Sequence, residues 1–119
     1  MRFSLASITS SDIVTSASLD FSVFNPGNDA EVYQLTSQCA FDEDTTTWNN
    51  INGGSAFVES ACVGALVSSA ACGSTTASSS TACTSGTRYS FDVTSAVQGW
   101  LANPSSNYGV IFKPAGGTN

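Results

Sequence analysis

Residues 88–113, RYSFDVTSAVQGWLANPSSNYGVIFK, constrain the fold most because they set one short helix between two strands. Apolar residues alternate with polar ones over 88–93, as in a strand with one buried face. Helical spacing follows over 94–102, and it stops at Asn103 because Pro104 disfavours helical backbone in the residue before it. The stretch VIFK then returns to a strand. This order predicts a β-rich domain with a single helical plug.

The predicted helix would cover an open end of a stack of sheets. Asp92 or Thr94 can cap its first turn. Trp100 is its largest apolar side chain, and Asn107 and Gly109 flank Tyr108 in the turn before the last strand. The apolar stripe that the helix would bury falls at helical spacing: Val93, Ala96, Val97, Trp100 and Leu101.

The first third of the chain predicts a β-hairpin. Residues 13–24, IVTSASLDFSVF, alternate with period two, so a half-buried antiparallel strand is expected. NPGND at 25–29 is a turn sequence, and AEVYQLT at 30–36 is the returning strand. Further strands are predicted at RFSLASI (2–8), TTTWNNI (45–51) and SAFVES (55–60).

Residues 60–87 are almost all small and contain three of the four cysteines. Such a segment has little apolar surface to bury, so it is predicted to be a surface loop held by disulfides. The cysteines, Cys39, Cys62, Cys72 and Cys83, include no CxxC pair, and the chain has no histidine, so disulfides are favoured over zinc. Three pairings are possible. We favour Cys72–Cys83, which would staple the loop, together with Cys39–Cys62.

Composition excludes several classes of partner. Only 10% of the residues are charged, and the net charge is −6 with three positive side chains in all. A surface that follows phosphates needs clustered Lys and Arg, so neither nucleic acid nor an anionic membrane surface is an expected ligand. No signal peptide and no apolar run of membrane-spanning length is visible. Low charge, many Ser and Thr residues and paired cysteines suit an extracellular or cell-surface protein.

The candidate chemistry is limited. Without histidine, a Ser or Cys nucleophile has no usual base, so an enzyme is not expected. The acidic residues Asp42, Glu43 and Asp44 are a candidate Ca²⁺ site, because hard cations prefer several oxygens. The alternative is an acidic loop that stays in water. No other cofactor is implied.

Carbohydrate generally stacks on exposed aromatic side chains, so these residues are the candidates for a polysaccharide site. Trp48 and Trp100 lie in motifs of structural character and are expected in the core. Tyr33, in an alternating strand, and Tyr108, at a turn, are the expected exposed rings for contacting carbohydrate.

The run FDVTSAVQGWLANPSSNYGVIFK resembles the closing motif of the DNRLRE-type domain, a disaggregatase-related β-sandwich of secreted prokaryotic proteins. That motif has D-V-T, a short helix bearing Trp, then N-Y-G and a strand. RFSL with the pattern at 13–24 resembles the opening strands of the family, and TTTWNN at 45–50 resembles its T-W-N motif. The resemblance implies a two-sheet, jelly-roll-like sandwich attached to surface or polysaccharide-degrading proteins, some of whose members bind carbohydrate, including anionic algal polysaccharide.

The chain departs from this family pattern. The resemblance implies strands before Arg2 and after Lys113, which this sequence lacks, and neither a Cys-rich loop nor this scarcity of Arg and Lys is typical. Because 119 residues are enough for one small domain and too few for two, we expect a single domain over 1–119. Its expected function is a non-catalytic extracellular module, favoured as a filament or appendage subunit that self-associates through β-strand edges. The alternatives are a carbohydrate-binding module, a spacer domain, or a fragment of a longer polypeptide.

Overall fold

The computed structural model of the chain describes residues 1–9, 11–22, 30–70 and 88–114. These residues are mostly strands in two antiparallel sheets, with one helix of more than one turn. The strands are β1 (Ser18–Ser22), β2 (Ala30–Leu35), β3 (Val63–Ala70), β4 (Arg88–Asp92) and β5 (Val110–Pro114), and the helices are α1 (Glu59–Cys62) and α2 (Thr94–Ala102). Short 3₁₀ turns occupy Ser37–Cys39 and Pro104–Ser106.

One sheet pairs β1 with β4, and the other has the order β3-β2-β5. In the first sheet Leu19 lies opposite Phe91, so the apolar faces of both strands coincide. In the second sheet β2 is central, and its pairing with β5 is regular. Its pairing with β3 shifts register on either side of Tyr33. The predicted all-β class is therefore confirmed in this coarser form.

The helix α2 lies where the sequence predicted it and closes the main core. The Asp92 carboxylate accepts a hydrogen bond from the Thr94 N–H at 2.9 Å, and the Thr94 hydroxyl oxygen accepts one from the Ala17 N–H at 2.9 Å. The first bond satisfies a free N–H of the first turn, and the second ties the helix to the segment before β1. Trp100 is 4% exposed, which confirms its predicted burial. The buried core of this cluster is Val32, Phe91, Val93, Ala96, Val97, Trp100 and Val110.

A second, smaller core surrounds a disulfide between Cys39 and Cys62, both fully buried. These cysteines lie with Leu35 in a cluster flanked by partly buried aromatic and aliphatic side chains. This bond confirms the favoured pairing for Cys39 and Cys62. Cys72 and Cys83 lie outside the described residues, as do the predicted turn at 25–29 and most of the predicted loop.

Three strand predictions were wrong, because local side-chain hydrogen bonds or tertiary contacts decide these segments. Residues 2–5 form no strand, and residues 5–8 make a turn in which the Ile8 N–H donates to the Leu5 carbonyl at 2.9 Å. Residues 45–51 are successive turns, in which the Asn50 side chain accepts from the Thr47 N–H at 2.6 Å. Residues 55–60 are irregular and then enter α1.

The loop prediction was also wrong for residues 63–70, which form β3. Small side chains let this strand approach β2 closely. A Cβ added to Gly64 would lie 3.1 Å from the Gln34 carbonyl oxygen. Pairing with β2 thus compensates for the weak strand propensity of the segment.

Membrane-spanning helices were searched for over the described residues, and no helix there is long and apolar enough to cross a bilayer.

Candidate functional site

The turn Asn107–Gly109 joins three parts of the chain that are distant in sequence. The Asn107 Nδ2 donates to the Phe3 carbonyl at 3.0 Å. The Tyr108 carbonyl accepts from the Phe41 N–H at 2.8 Å, and the Gly109 carbonyl accepts from the Leu35 N–H at 2.9 Å. The Asn-Tyr-Gly sequence is therefore the junction between the N-terminal segment, the acidic loop and the central strand β2.

Gly109 makes this junction possible because it has φ 101°, which favours glycine. A Cβ at this position would lie 2.5 Å from the Met1 carbonyl oxygen. The N-terminal segment is in turn held against β5, since the Met1 nitrogen donates to the Val110 carbonyl at 2.7 Å and the Val110 N–H donates to Met1 at 2.6 Å. The N-terminal segment therefore packs so closely against Gly109 that a side chain at position 109 would clash with it.

The first cavity at this junction, here called the polar groove, has a volume of about 700 Å³. It lies between the N-terminal segment, the loop Phe41–Asp44 and the end of α2. Its walls combine apolar side chains such as Phe3 and Leu101 with the charged groups of Arg2, Glu43 and Asp44. This volume lies within the range of about 300–1,000 Å³ that is usual for ligand sites.

Two residues of the polar groove carry buried polar atoms that lack a hydrogen-bond partner in the described part of the chain. These atoms are the indole Nε1 of Trp100 and the amide Oδ1 of Asn107. The orientation of the Asn107 amide is set by its Nδ2, which donates to Phe3, so the free atom is the acceptor. An unpaired buried polar atom costs about 1–3 kcal/mol, and surrounding protein atoms close off both of these atoms from the groove.

The acidic loop does not form the predicted calcium site. The Asp42 carboxylate turns back onto its own loop, accepting from the N–H groups of Asp44 and Thr45 at 3.1 Å and from the Thr45 hydroxyl at 2.9 Å. The Thr45 hydroxyl is the main reason that the pKa of Asp42 is lowered, and the Asp44 N–H adds to it. Glu43 and Asp44 are exposed. Among the described residues no group of three or more acidic, Cys or His side chains could hold a metal ion.

The second cavity, here called the apolar cavity, has a volume of about 210 Å³ and lies beside β5. Its lining is almost entirely apolar, and it includes Phe41, which also lines the polar groove. Further lining residues come from the loop after the acidic residues and from the sheet: Leu35, Trp48, Ile51, Val110, Ile111 and Phe112.

Trp48 was expected in the core, and this expectation was wrong. Its side chain is 60% exposed and stacks on Phe57 with ring centroids 4.1 Å apart and an interplanar angle of 23°. The turns over 45–51 place Trp48 at the rim of the apolar cavity, which alternation within a strand would not have done.

The two tyrosines predicted to contact carbohydrate are both half-buried. The Lys113 ammonium lies 5.1 Å from the ring centroid of Tyr33, whose hydroxyl donates to Glu31 at 2.8 Å. Lys113 also forms an ion pair with Glu59. Tyr108 packs against the disulfide cluster. The exposed ring that sequence reasoning missed is Trp48, and the only available signal was the turn-forming run of Thr and Asn around it.

No family model, curated protein or solved structure matches this chain significantly.

Proposed function

We propose that the chain is a non-catalytic extracellular structural module that assembles with other copies of itself at the outer edge of β5. The supporting observation is the apolar cavity beside this edge, with Trp48 exposed at its rim. Such a module would be a filament or appendage subunit of the DNRLRE-like kind that the sequence suggests. The buried Cys39–Cys62 disulfide suits an oxidising compartment and a durable extracellular surface.

The geometry of β5 provides the edge. Backbone groups of an antiparallel strand point alternately towards its neighbour and away from it, so those of Val110 and Phe112 face away from β2. Met1 pairs with Val110, whereas no described residue pairs with the backbone of Phe112. A strand edge beside apolar surface is a template for a strand from another chain.

The second copy would bury the apolar cavity and part of Trp48. A contact between this edge and a different strand of the second copy is head-to-tail, and repetition of such contacts gives an open filament.

Sedimentation velocity and negative-stain electron microscopy of the purified chain test this proposal. We expect species larger than the 12.2 kDa monomer and filaments with a repeat close to one domain length. Trp48→Lys should abolish them because it places a charge at the rim of the apolar cavity. Leu66→Lys is the matched control, since Leu66 is 52% exposed on the edge strand β3 and lies away from the cavity. A chain that stays monomeric at its highest soluble concentration would contradict the proposal.

Carbohydrate binding is the second candidate function, and it is favoured by the stacked pair of Trp48 and Phe57. An exposed ring held flat by a second ring loses little side-chain freedom when a sugar stacks on it. Quenching of tryptophan fluorescence by a panel of neutral and anionic polysaccharides tests this function. Binding that Trp48→Ala removes while the protein stays monomeric would favour it over assembly.

A further inference from the structure

The segment before β1 has strand-forming residues that the fold of one copy does not use. Residues 13–24 alternate as a strand does, yet β1 begins only at Ser18, where its partner β4 ends at the opposite residue, Asp92. Residues 13–16 form no regular element. We propose that these residues, here called the pairing segment, form a strand on the outer edge of β5 in a second copy and place Ile13 in its apolar cavity. The inference rests on the proposed function and names the segment that self-assembly uses.

Ile13 has the exposure that such a contact requires. It is the most exposed large apolar side chain in the described part of the chain, at 88%, and the next is Trp48 at 60%. Val14 and Thr15 follow it, so three β-branched residues that favour strands lie in succession. Ile13 does not line the apolar cavity of its own chain, so a contact between the two joins separate copies.

The backbone of the pairing segment is available for a new partner. No described residue forms a hydrogen bond with the backbone groups of Ile13, Thr15 or Ser16, whereas the Val14 carbonyl accepts one from the Gln98 side chain at 2.9 Å. Addition to a sheet edge would pair these backbone groups and bury the isoleucine side chain at the same time.

The receiving edge of β5 is short, so a short segment is enough to cover it. Among the backbone groups that face away from β2, those of Val110 are paired with Met1, and Pro114 has no N–H to donate. The N–H and the carbonyl of Phe112 remain for a strand from another copy. Bonding groups on a strand edge recur at every second residue, so the pairing segment reaches both.

The two surfaces match in chemistry and in size. Neither the pairing segment nor the lining of the apolar cavity includes a charged side chain, so docking buries no unpaired charge. A cavity of about 150 Å³ holds a benzene molecule, so the volume of about 210 Å³ has room for the four-carbon side chain of isoleucine. Leu35, Ile51 and Ile111 line the cavity and would supply apolar contacts.

Two variants that each lose one half of the contact test the inference. Ile13→Lys keeps the apolar cavity and loses the side chain that enters it, whereas Trp48→Lys keeps the pairing segment and loses the cavity rim. Each variant alone should stay monomeric in sedimentation velocity. Mixed in equal amounts, they should form a dimer of about twice the 12.2 kDa monomer mass, because one contact is restored and neither free end can extend it. Acrylamide should quench Trp48, which only one of the two copies has, less in this dimer than in Ile13→Lys alone.

Truncation of the isoleucine measures how strongly the contact depends on it. Ile13→Ala added to the Trp48→Lys copy should weaken the mixed dimer about 10- to 100-fold, because most of the apolar area that isoleucine would bury is lost. Leu66→Lys added to the same copy is the control, since Leu66 is also exposed and lies outside both the cavity lining and the pairing segment. It should change the dissociation constant less than about twofold.

The outcomes separate this inference from the proposed function. If the wild-type chain assembles and Trp48→Lys does not, but Ile13→Lys assembles as the wild type does, the pairing segment is wrong and assembly at β5 stands. The same conclusion follows if the mixture forms no dimer, if Trp48 is quenched equally in the dimer, or if Leu66→Lys weakens the dimer as much as Ile13→Ala does. A wild-type chain that stays monomeric, or Trp48→Lys that still assembles, overturns both proposals.

Discussion

Replacing Gly109 by alanine tests how the N-terminal segment is held. Gly109 has φ 101°, and an added Cβ would lie 2.5 Å from the Met1 carbonyl oxygen and 3.2 Å from the Arg2 Cβ. Left-handed backbone costs a residue other than glycine about 1–2 kcal/mol. The clash must also displace Met1, which breaks its two hydrogen bonds with Val110, worth about 0.5–1.5 kcal/mol each.

The expected loss is therefore about 2–4 kcal/mol in the free energy of unfolding, after a gain of about 0.4–1 kcal/mol from the stiffer unfolded chain. Equilibrium unfolding in urea measures it. Gly54→Ala is the matched control, because Gly54 has φ 91° and nothing lies within 4 Å of the added Cβ. This control should lose only about 1 kcal/mol, which is the backbone cost alone.

Hydrogen exchange supplies a second measurement on the same variant. The Val110 N–H donates to Met1, so Gly109→Ala should speed the exchange of this amide and leave that of Leu35, which donates to the Gly109 carbonyl, less affected. Equal destabilisation by Gly109→Ala and Gly54→Ala would refute the reasoning, because the contact with Met1 would then contribute nothing.

Three further predictions concern acid, the disulfide and the tryptophans. Hydrogen bonds from threonines lower the pKa values of three carboxyl groups, those of Asp12, Asp42 and Asp92. The free energy of unfolding should therefore be level above about pH 5 and fall below about pH 4, because these carboxylates protonate on unfolding. In acid unfolding followed by circular dichroism, Asp92→Asn should make this fall shallower, and an unchanged fall would contradict the assignment. Replacing both Cys39 and Cys62 by alanine should lower the free energy of unfolding by about 3 kcal/mol, because the disulfide closes a loop with a sequence separation of 23 residues. Urea unfolding against the wild type measures this loss, and a value below about 1 kcal/mol would show that the crosslink is not stabilising. Acrylamide should quench the fluorescence of the exposed Trp48 and spare that of the buried Trp100, so Trp48→Phe should remove most of the quenchable fluorescence. If Trp100→Phe removed it instead, the two burial assignments would be reversed.

The elements that could be predicted correctly depend on short-range signals. The helix α2 follows from its own residues, because Asp92 accepts a bond from its first turn and Pro104 stops it. The strands β1 and β4 follow from period-two alternation, since each has one face towards a core. The predicted hairpin of residues 13–24 with 30–36 is wrong, because β1 pairs with β4 whereas β2 lies in the other sheet.

The elements that were predicted wrongly depend either on partners far along the chain or on local side-chain hydrogen bonds that periodicity does not indicate. β3 has a composition typical of a loop and becomes a strand because β2 supplies a hydrogen-bonding edge. Residues 45–51 have β-prone side chains, yet Asp42, Thr46 and Asn50 bond to nearby backbone groups and turn the segment. Trp48 is exposed as a result, which no periodicity could indicate.

The sequence alone determined the class of this protein: a small, weakly charged β domain, with one helix whose start, stripe and stop are encoded within fifteen residues. Local preferences were sufficient there because both ends of each interaction lie in one segment. Only the tertiary structure decided the two cavities and the unpaired atoms of Trp100 and Asn107. These features arise where Met1, Phe41 and Gly109 meet, and a meeting of residues up to 108 positions apart depends on how the sheets pack rather than on any local pattern.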